Sequence, residues 1–279
     1  DFWHLKHVER LGIPEVMVSD GPHGLRKQDD KGDHLGMNDS IKAVCFPPAA
    51  LSACSFDRKL MERMGKTIGK EAQANDVSVV LGPAVNIKRS PLCGRNFEYY
   101  SEDPILTGAM GAIVYRQAVA YGLVVAGKHF AFNDQEDHRG DRDGQYGLAT
   151  WLNEQSAREI YLKPFEMCMK LGDVELNYLE QKSDGTYENA TRQIRACQAV
   201  MTAFNRIGYT WTGGSYNLLT GIARNEWAFN GMMITDNANT GVFMDGYQMI
   251  EAGGDIKLTY LADSARFDFD KNDTATYHY

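Results

Sequence analysis

Polar side chains able to bind or react follow the ends of several predicted strands in this chain. They are Asp20, Arg95, Lys128 with His129, Asn205 and Asp236. In an α/β barrel the carboxyl ends of the strands share one face, and active sites are built there. Two carboxylates, a guanidinium, an ammonium and an imidazole on that face would suit a sugar, because charged groups bind vicinal hydroxyls strongly. A carboxylate facing the anomeric carbon would also stabilise an oxocarbenium-like transition state.

Each of these residues also has a purely structural interpretation. Asp20 could cap the turn before Gly21, and Asp236 could cap a following helix. Arg95 and Lys128 could belong to structural ion pairs, and a single histidine is more often structural than catalytic. Their joint occurrence after the predicted strands favours a shared site.

Short apolar strands alternate with longer helical segments along the chain. Strands are predicted at 16–19, 77–81, 123–127, 199–204 and 232–235, with a further one around 255–258. Helices are predicted at 56–75, 103–121, 151–171 and 216–227. Repeated βα units form a mainly parallel sheet. We therefore expect an α/β fold, namely a TIM-like (β/α)8 barrel with some units irregular or missing.

Local signals support two of these helices. Apolar residues recur every four positions from Leu60 to Ala72, which defines one face of a helix. Ser55 or Asp57 is placed to cap its first turn. Within 151–171, Pro164 predicts a kink.

The expected barrel is a single domain over residues 1–279. Residues 172–198 interrupt it as a polar insertion with a turn at Asp184 and Gly185. The tail from Ser264 is polar and is expected at the surface. Residues 19–26 match neither a dinucleotide fingerprint nor a phosphate-binding loop, which disfavours a nucleotide-binding fold.

The composition of the chain disfavours some classes of partner and some cellular locations. The charge is 29 minus 37, or −8, which argues against nucleic acid as a partner. Five cysteines, odd in number and without CxxC spacing, favour free thiols in a reducing compartment, and we expect a cytoplasmic protein. The chain has no apolar run near the roughly 20 residues that span a bilayer, so a membrane is not expected. It begins at Asp1 rather than Met and shows no signal peptide, and we expect a processed or trimmed piece of a longer protein.

Motifs across the chain resemble glycoside hydrolase family 3 in its β-glucosidase branch. The matching stretches are VMVSDGPHGLR (16–26), GPAVNIKRSPLCGRNFEYYSEDP (82–104), VAGKHFAFNDQE (125–136), VMTAFNRIG (200–208) and GMMITD (231–236), with EAGGDI (251–256) as a weaker match. Their order and spacing are preserved over nearly the whole chain.

The resemblance implies a retaining glycoside hydrolase that releases terminal β-D-glucosyl or related residues from β-linked oligosaccharides or aryl glucosides. Asp236 matches the nucleophile, which would form a covalent glycosyl-enzyme ester. The positions that match substrate-binding residues are Asp20, Arg95, Lys128, His129, Met201 and Phe204. Neither a metal nor an organic cofactor is implied.

The chain departs from the family at two positions near the nucleophile. Asn237 stands where the family commonly has Trp, so the apolar wall that Trp would give the pocket is not expected. Phe204 stands where the family often has Tyr, so a hydroxyl is missing. A sugar-binding or degenerate glycosidase domain is therefore the alternative interpretation.

The resemblance also implies that the general acid/base comes from a second domain, an α/β sandwich, on the same or another chain. This sandwich domain is not expected within residues 1–279. Glu98 and Glu136 lie in suitable loops, yet neither matches the family's acid. The β-N-acetylglucosaminidase branch is disfavoured because residues 130–136 lack its Gly- and His-containing motif.

A metal hydrolase is a further alternative. His4 and His7 could be proposed as ligands, as could residues 141–144, which resemble half of a calcium loop. Arg139 and Thr150 occupy the end positions of that loop, where ligands are required, so a solvated loop is the better interpretation.

Overall fold

The computed structural model describes residues 3–29, 32–33, 37–139, 141–142, 145–238 and 244–259. A six-stranded sheet lies at its centre. In spatial order the strands are His4–Leu5, Val16–Asp20, Val79–Ala84, Val124–Phe130, Ala199–Thr202 and Met232–Ile234. The first pair is antiparallel and the other neighbours are parallel. Because spatial order follows chain order, each parallel pair needs a crossover connection, and helical segments supply it.

Helical segments occur close to the four predicted positions, whereas Ala49–Cys54 and Gly246–Ala252 were not predicted. The α-helices are Ala49–Cys54, Arg58–Ala74, Pro104–Val119, Glu154–Ser156, Lys163–Met169 and Gly246–Ala252. Ala157–Tyr161 and Asn217–Glu226 are π-helical, and Glu9–Leu11 and Thr212–Gly214 are 3₁₀ turns. Short ladders pair Asp141–Arg142 with Gln145–Tyr146, and Arg206–Ile207 with both Thr210–Trp211 and Ala149–Thr150.

Two hydrophobic layers show how the sheet curls. An inner cluster consists of Val18, Val79, Leu81, Ala126, Ala199, Met201, Ile234 and Leu258. Leu5, on the strand at one edge, and Ile256, beyond the opposite edge, both pack against this inner cluster, so the sheet bends toward closure. The alternate strand residues, such as Val80 and Val200, face an outer cluster shared with the helices. A curled, mainly parallel sheet between these layers has the TIM-like architecture with irregular units that the sequence predicts.

The pairing of the two long helices follows from their sequences. The Asp57 carboxylate caps Arg58–Ala74 by accepting from the Lys59 and Leu60 amides, which confirms one of the two predicted caps. Gly65 lets this helix approach Pro104–Val119 closely, because a Cβ there would lie 2.8 Å from the Val114 carbonyl oxygen. A larger residue at Gly65 would therefore force the helices apart.

Two predicted elements differ in detail. The helix predicted at 151–171 is broken at Leu162, and an α-helix restarts at Lys163 with Pro164 in its first turn, because proline lacks the amide proton that a helix interior needs. The strand predicted around 255–258 is a single bridge between Ile234 and Ile256. The predicted polar tail from Ser264 lies outside the described residues.

The polar insertion is a β-hairpin. Asp173–Gln181 pairs with Tyr187–Arg195 in antiparallel register over nine residue pairs. Most of its side chains are exposed, and Val174 and Ile194 at its base pack against the outer cluster. The insertion therefore projects from the helical layer.

Candidate active site

Strand periodicity brings three of the candidate side chains to one mouth of the barrel. Successive side chains on a strand alternate between faces, so residues two apart share a face. Val18, Ala126 and Ile234 belong to the inner cluster. The residues two positions later are Asp20, Lys128 and Asp236. Each therefore points inward, just beyond the apolar interior, at the carboxyl end of its strand.

A charged network joins Asp20 to the loop after the third strand. Lys128 Nζ lies 2.7 Å from Asp20 Oδ1 and 3.7 Å from Glu98 Oε2. The Arg95 guanidinium donates through Nε to Glu98 Oε1. Arg26 Nη1 lies 3.2 Å from Asp20 Oδ2. Two carboxylates thus hold three cations, and Glu98 is buried between Arg95 and Lys128.

Electrostatics favour the charged forms of Asp20 and Arg95. Burial favours the neutral form of Asp20, but the charge and hydrogen bond of Lys128, with the charges of Arg26 and Arg95, outweigh it and lower the pKa of Asp20. Burial also disfavours charge on Arg95, yet Glu98 and other nearby groups raise the pKa of its guanidinium. Asp20 can therefore accept hydrogen bonds from hydroxyls, and Arg95 can donate them.

The Asp236 carboxylate has one oxygen without a hydrogen bond. Oδ1 accepts from the Asn237 amide at 2.8 Å. Oδ2 is buried, has no hydrogen-bond partner among the described residues, and lies 3.7 Å from His129 Nε2. The side chain as a whole is 15% exposed, although Oδ2 itself is buried, so a substrate would have to uncover this oxygen. A carboxylate oxygen without a donor suits nucleophilic attack once the anomeric carbon can reach it.

His129 is fixed beside Asp236 as a neutral imidazole. Its main chain is clamped by Asn86, whose Oδ1 accepts from the His129 amide at 2.7 Å and whose Nδ2 donates to the His129 carbonyl at 2.9 Å. Burial, then the charges of Arg95 and Lys128, lower the pKa of His129 well below its usual value. At neutral pH the ring therefore donates one N–H.

The remaining candidates, Met201, Phe204 and Asn205, make contacts outside the charged network. Met201 is buried in the inner cluster, on the inward face of its strand. The Phe204 ring lies under the Arg139 guanidinium, 4.4 Å from its carbon. Asn205 Nδ2 donates to Thr150 Oγ1 at 3.4 Å, which is a contact within the barrel rim. Roles for Met201 and Phe204 in substrate binding stay predictions.

Several residues that matter to the geometry were not predicted as site residues. They are Asn86, Glu98, Tyr99, Asn133, Glu136 and Arg139. Glu98 stands three residues after Arg95, a spacing that signals a local ion pair. Glu136 lies three residues from both Asn133 and Arg139, which is the same local spacing. Asn86 and Tyr99 act through contacts with His129 on a separate strand, and the sequence carries no spacing signal for these.

A cleft of about 310 Å³ opens beside Asp20, Arg95 and Glu98. Among the residues that the structure describes, no three His, Cys, Asp or Glu side chains are grouped to hold a metal ion. No helix within the described ranges is long and apolar enough to cross a membrane.

Comparison with known proteins gives the family. The model of the glycosyl hydrolase family 3 N-terminal domain matches residues 7–176. Thermostable beta-glucosidase B of Acetivibrio thermocellus is 41% identical over 92% of this chain and 30% of its own length. A beta-glucosidase of Kluyveromyces marxianus is 36% identical over 85% of this chain and 24% of its own length.

Solved structures of beta-glucosidases also match this chain. Beta-glucosidase 3B from Thermotoga neapolitana in complex with glucose matches with a TM-score of 0.72 and 31% identity, over 91% of this chain and 31% of that one. The Kluyveromyces marxianus beta-glucosidase in complex with glucose matches with a TM-score of 0.73 and 35% identity, over 92% of this chain and 26% of that one. The fold is thus that of carbohydrate-hydrolysing TIM-like barrels. The chain belongs to glycosyl hydrolase family 3, where it corresponds to the N-terminal domain and spans about a third or less of these relatives.

Proposed function

We propose that this chain supplies the nucleophile of a retaining β-glycosidase, with Asp236 attacking terminal β-D-glucosyl or related β-glycosyl residues. One observation carries the proposal. The buried Oδ2 of Asp236 lacks a hydrogen-bond partner within the described part of the chain and lies beside His129 at the inward mouth of the barrel. The relatives named beta-glucosidases support glucose as the sugar.

The reaction would run in two displacements. Asp236 Oδ2 attacks the anomeric carbon, the bond to the aglycone oxygen breaks, and the aglycone oxygen takes a proton from a general acid. Water then attacks the same carbon and loses its proton to the conjugate base of the general acid. The ester bond to Asp236 breaks, and the sugar leaves with its starting anomeric configuration. No redox or metal step is required.

The charged network would hold the sugar during both steps. Asp20, kept ionised by Lys128, is suited to accept hydrogen bonds from two hydroxyls. Lys128, Arg95 and the His129 N–H are suited to donate to others. The inward-facing Met201 and the ring of Phe204 would supply apolar contacts.

We propose that the general acid/base comes from an α/β sandwich domain outside residues 1–279, on the same or another chain. Glu98 is engaged by Arg95 and Lys128, and Glu136 by Arg139 and Asn133, so neither is free to protonate an aglycone. Proton transfer to the aglycone contributes about 10²- to 10⁴-fold. Alone, the chain should therefore favour aryl glucosides with good leaving groups. We place it as one barrel domain, in the cytoplasm, where its free cysteines would remain reduced.

A mechanism-based inactivator tests the proposal. The chain is incubated with 2,4-dinitrophenyl 2-deoxy-2-fluoro-β-D-glucoside, whose leaving group needs no acid, and its intact mass is measured. We expect one 2-fluoroglucosyl group per chain, and none on the Asp236→Asn variant. Saturable glucose binding without any adduct would instead support the sugar-binding or degenerate domain, which Phe204 and Asn237 favour.

A further inference from the structure

We infer that Tyr99, oriented by Asn133 and Glu136, holds His129 in the tautomer with its proton on Nε2, so that a neutral N–H donor faces Asp236. Tyr99 and Asn133 are positioning residues in this account, since they act through His129. The consequence for catalysis rests on the proposed function, whereas the tautomer itself does not.

The orientation of the Asn133 amide is set by a carboxylate. Asn133 Nδ2 lies 3.0 Å from Glu136 Oε1 and 2.7 Å from Tyr99 Oη. Glu136 is held by Arg139, whose Nε lies 2.7 Å from Oε2. An ionised carboxylate only accepts hydrogen bonds, so the amide nitrogen, not the amide oxygen, must face it. The two amide hydrogens therefore go to Glu136 and Tyr99.

The direction of the next hydrogen bond follows. A phenol has one proton, and the Tyr99 oxygen already accepts from Asn133. The phenol oxygen could accept a second hydrogen bond, but Tyr99 is fully buried, and a buried O–H group without an acceptor is costly. Among the described residues its other partner is His129 Nδ1, 3.1 Å away, so the phenol proton goes there. Burial raises the pKa of Tyr99 well above its usual value, so the phenol keeps this proton. His129 Nδ1 is thus an acceptor.

A neutral imidazole that accepts at Nδ1 carries its proton on Nε2. His129 Nε2 lies 3.7 Å from Asp236 Oδ2, which is longer than a hydrogen bond. A substrate hydroxyl that accepts from Nε2–H would be held beside Asp236 and would leave Oδ2 without a donor, as attack on the anomeric carbon requires. The other tautomer would place a lone pair against the carboxylate and remove the donor. An imidazolium would instead pair with Asp236 and weaken it as a nucleophile.

Nuclear magnetic resonance reads the tautomer without any substrate. The chain is labelled with ¹⁵N-histidine, and two-bond ¹H–¹⁵N correlations of the ring protons are recorded at neutral pH. His129→Gln identifies the His129 signals among those of the seven histidines. We expect a protonated Nε2 and an unprotonated Nδ1 in the wild type.

Tyr99→Phe removes the donor to Nδ1 together with the acceptor of one Asn133 amide hydrogen, and we expect it to yield a mixture of both tautomers. Tyr100→Phe is the matched control, because Tyr100 is the adjacent buried tyrosine and packs in the outer hydrophobic cluster. It should leave the His129 signals unchanged. If Tyr99→Phe does not fold, Asn133→Asp replaces it, because the new carboxylate would draw the Tyr99 proton away from His129.

Inactivation kinetics measure the consequence. The loss of one neutral hydrogen bond costs about 1 kcal/mol, so Tyr99→Phe should slow 2-fluoroglucosylation about 5- to 10-fold, and Tyr100→Phe should not.

A wild-type proton on Nδ1 overturns the inference, as does a folded Tyr99→Phe protein whose tautomer is unchanged. A wild-type chain with the Nε2 proton but no glycosyl adduct supports the inference and contradicts the proposed function.

Discussion

Lys128 Nζ lies 2.7 Å from Asp20 Oδ1, although 108 residues separate the two along the chain. The contact exists because both residues follow inward-facing positions at the carboxyl ends of parallel strands. It lowers the pKa of Asp20 and fixes the Lys128 ammonium inside the barrel. Sugar recognition in this account depends on that pair.

Asp20→Asn should weaken glucose binding. A hydrogen bond to a charged acceptor contributes about 1.5–3 kcal/mol, so the dissociation constant should rise about 10- to 100-fold. Isothermal titration calorimetry with glucose measures it. Asp29→Asn, at an exposed acidic residue, is the control and should change nothing. Equal affinities of the Asp20→Asn variant and the wild type would remove Asp20 from the sugar site.

Glu98→Gln should lower the free energy of unfolding. Glu98 is 3% exposed and contacts both Arg95 and Lys128, so its neutralisation leaves two cations poorly compensated. Breaking a buried ion pair costs about 3–5 kcal/mol. Urea unfolding measures the change, with exposed Glu102→Gln as the control. A Glu98→Gln effect as small as that of the control would show that the network is not stabilising.

Asp134 should make stability depend on pH. Burial raises its pKa to about 7, against the opposing effects of the Ile87 amide and Arg89. The folded chain therefore binds more protons than the unfolded chain between pH 4 and 7, and stability falls as pH rises through that window. Asp134→Asn should be more stable than the wild type at pH 8, and the difference should shrink toward pH 4.

Thermal unfolding at several pH values tests this, with exposed Asp137→Asn as the control. If Asp134→Asn and the wild type keep a constant difference from pH 4 to pH 8, the carboxyl does not titrate as described.

Deleting the hairpin should spare the site. The Ala196 amide donates to the Gly172 carbonyl at 2.9 Å, so the two ends of the hairpin already meet and a short Gly-Ser link can join them. Loss of Val174 and Ile194 from the outer cluster should lower the melting temperature modestly. The rate of 2-fluoroglucosylation should remain within twofold of the wild type, and a loss above tenfold would give the hairpin a role in the site.

Much of the fold could be predicted because its signals are local. The strand from Val16 to Asp20 and the helix after Asp57 are marked by apolar periodicity and a cap. The break at Leu162 depends on Pro164, and the sequence predicted a kink there but not an interruption. The pairing of residues 173–181 with 187–195 was not predicted. Half-buried Val174, Leu176 and Tyr178 alternate with exposed residues, but most of the hairpin's side chains are exposed and polar, so this period of two is a weak signal.

The site was predictable by residue type and motif, but not by contact. Asp20, Lys128 and Asp236 could be placed after strand ends from the sequence. The hydrogen bond between Tyr99 and His129 joins a loop to a strand residue 30 positions away, and no spacing rule indicates it. The direction of that hydrogen bond depends on how the loop packs against the strand, which the sequence does not show.

The most direct test is to locate the covalent adduct. After inactivation with the 2-fluoroglucoside, peptic peptides of the chain are sequenced by tandem mass spectrometry. We predict a 2-fluoroglucosyl ester on Asp236 within the stretch Met232–Asn237. An ester on Asp20, Glu98 or Glu136 would contradict the assignment of the nucleophile, and so would a chain that binds the sugar but carries no ester.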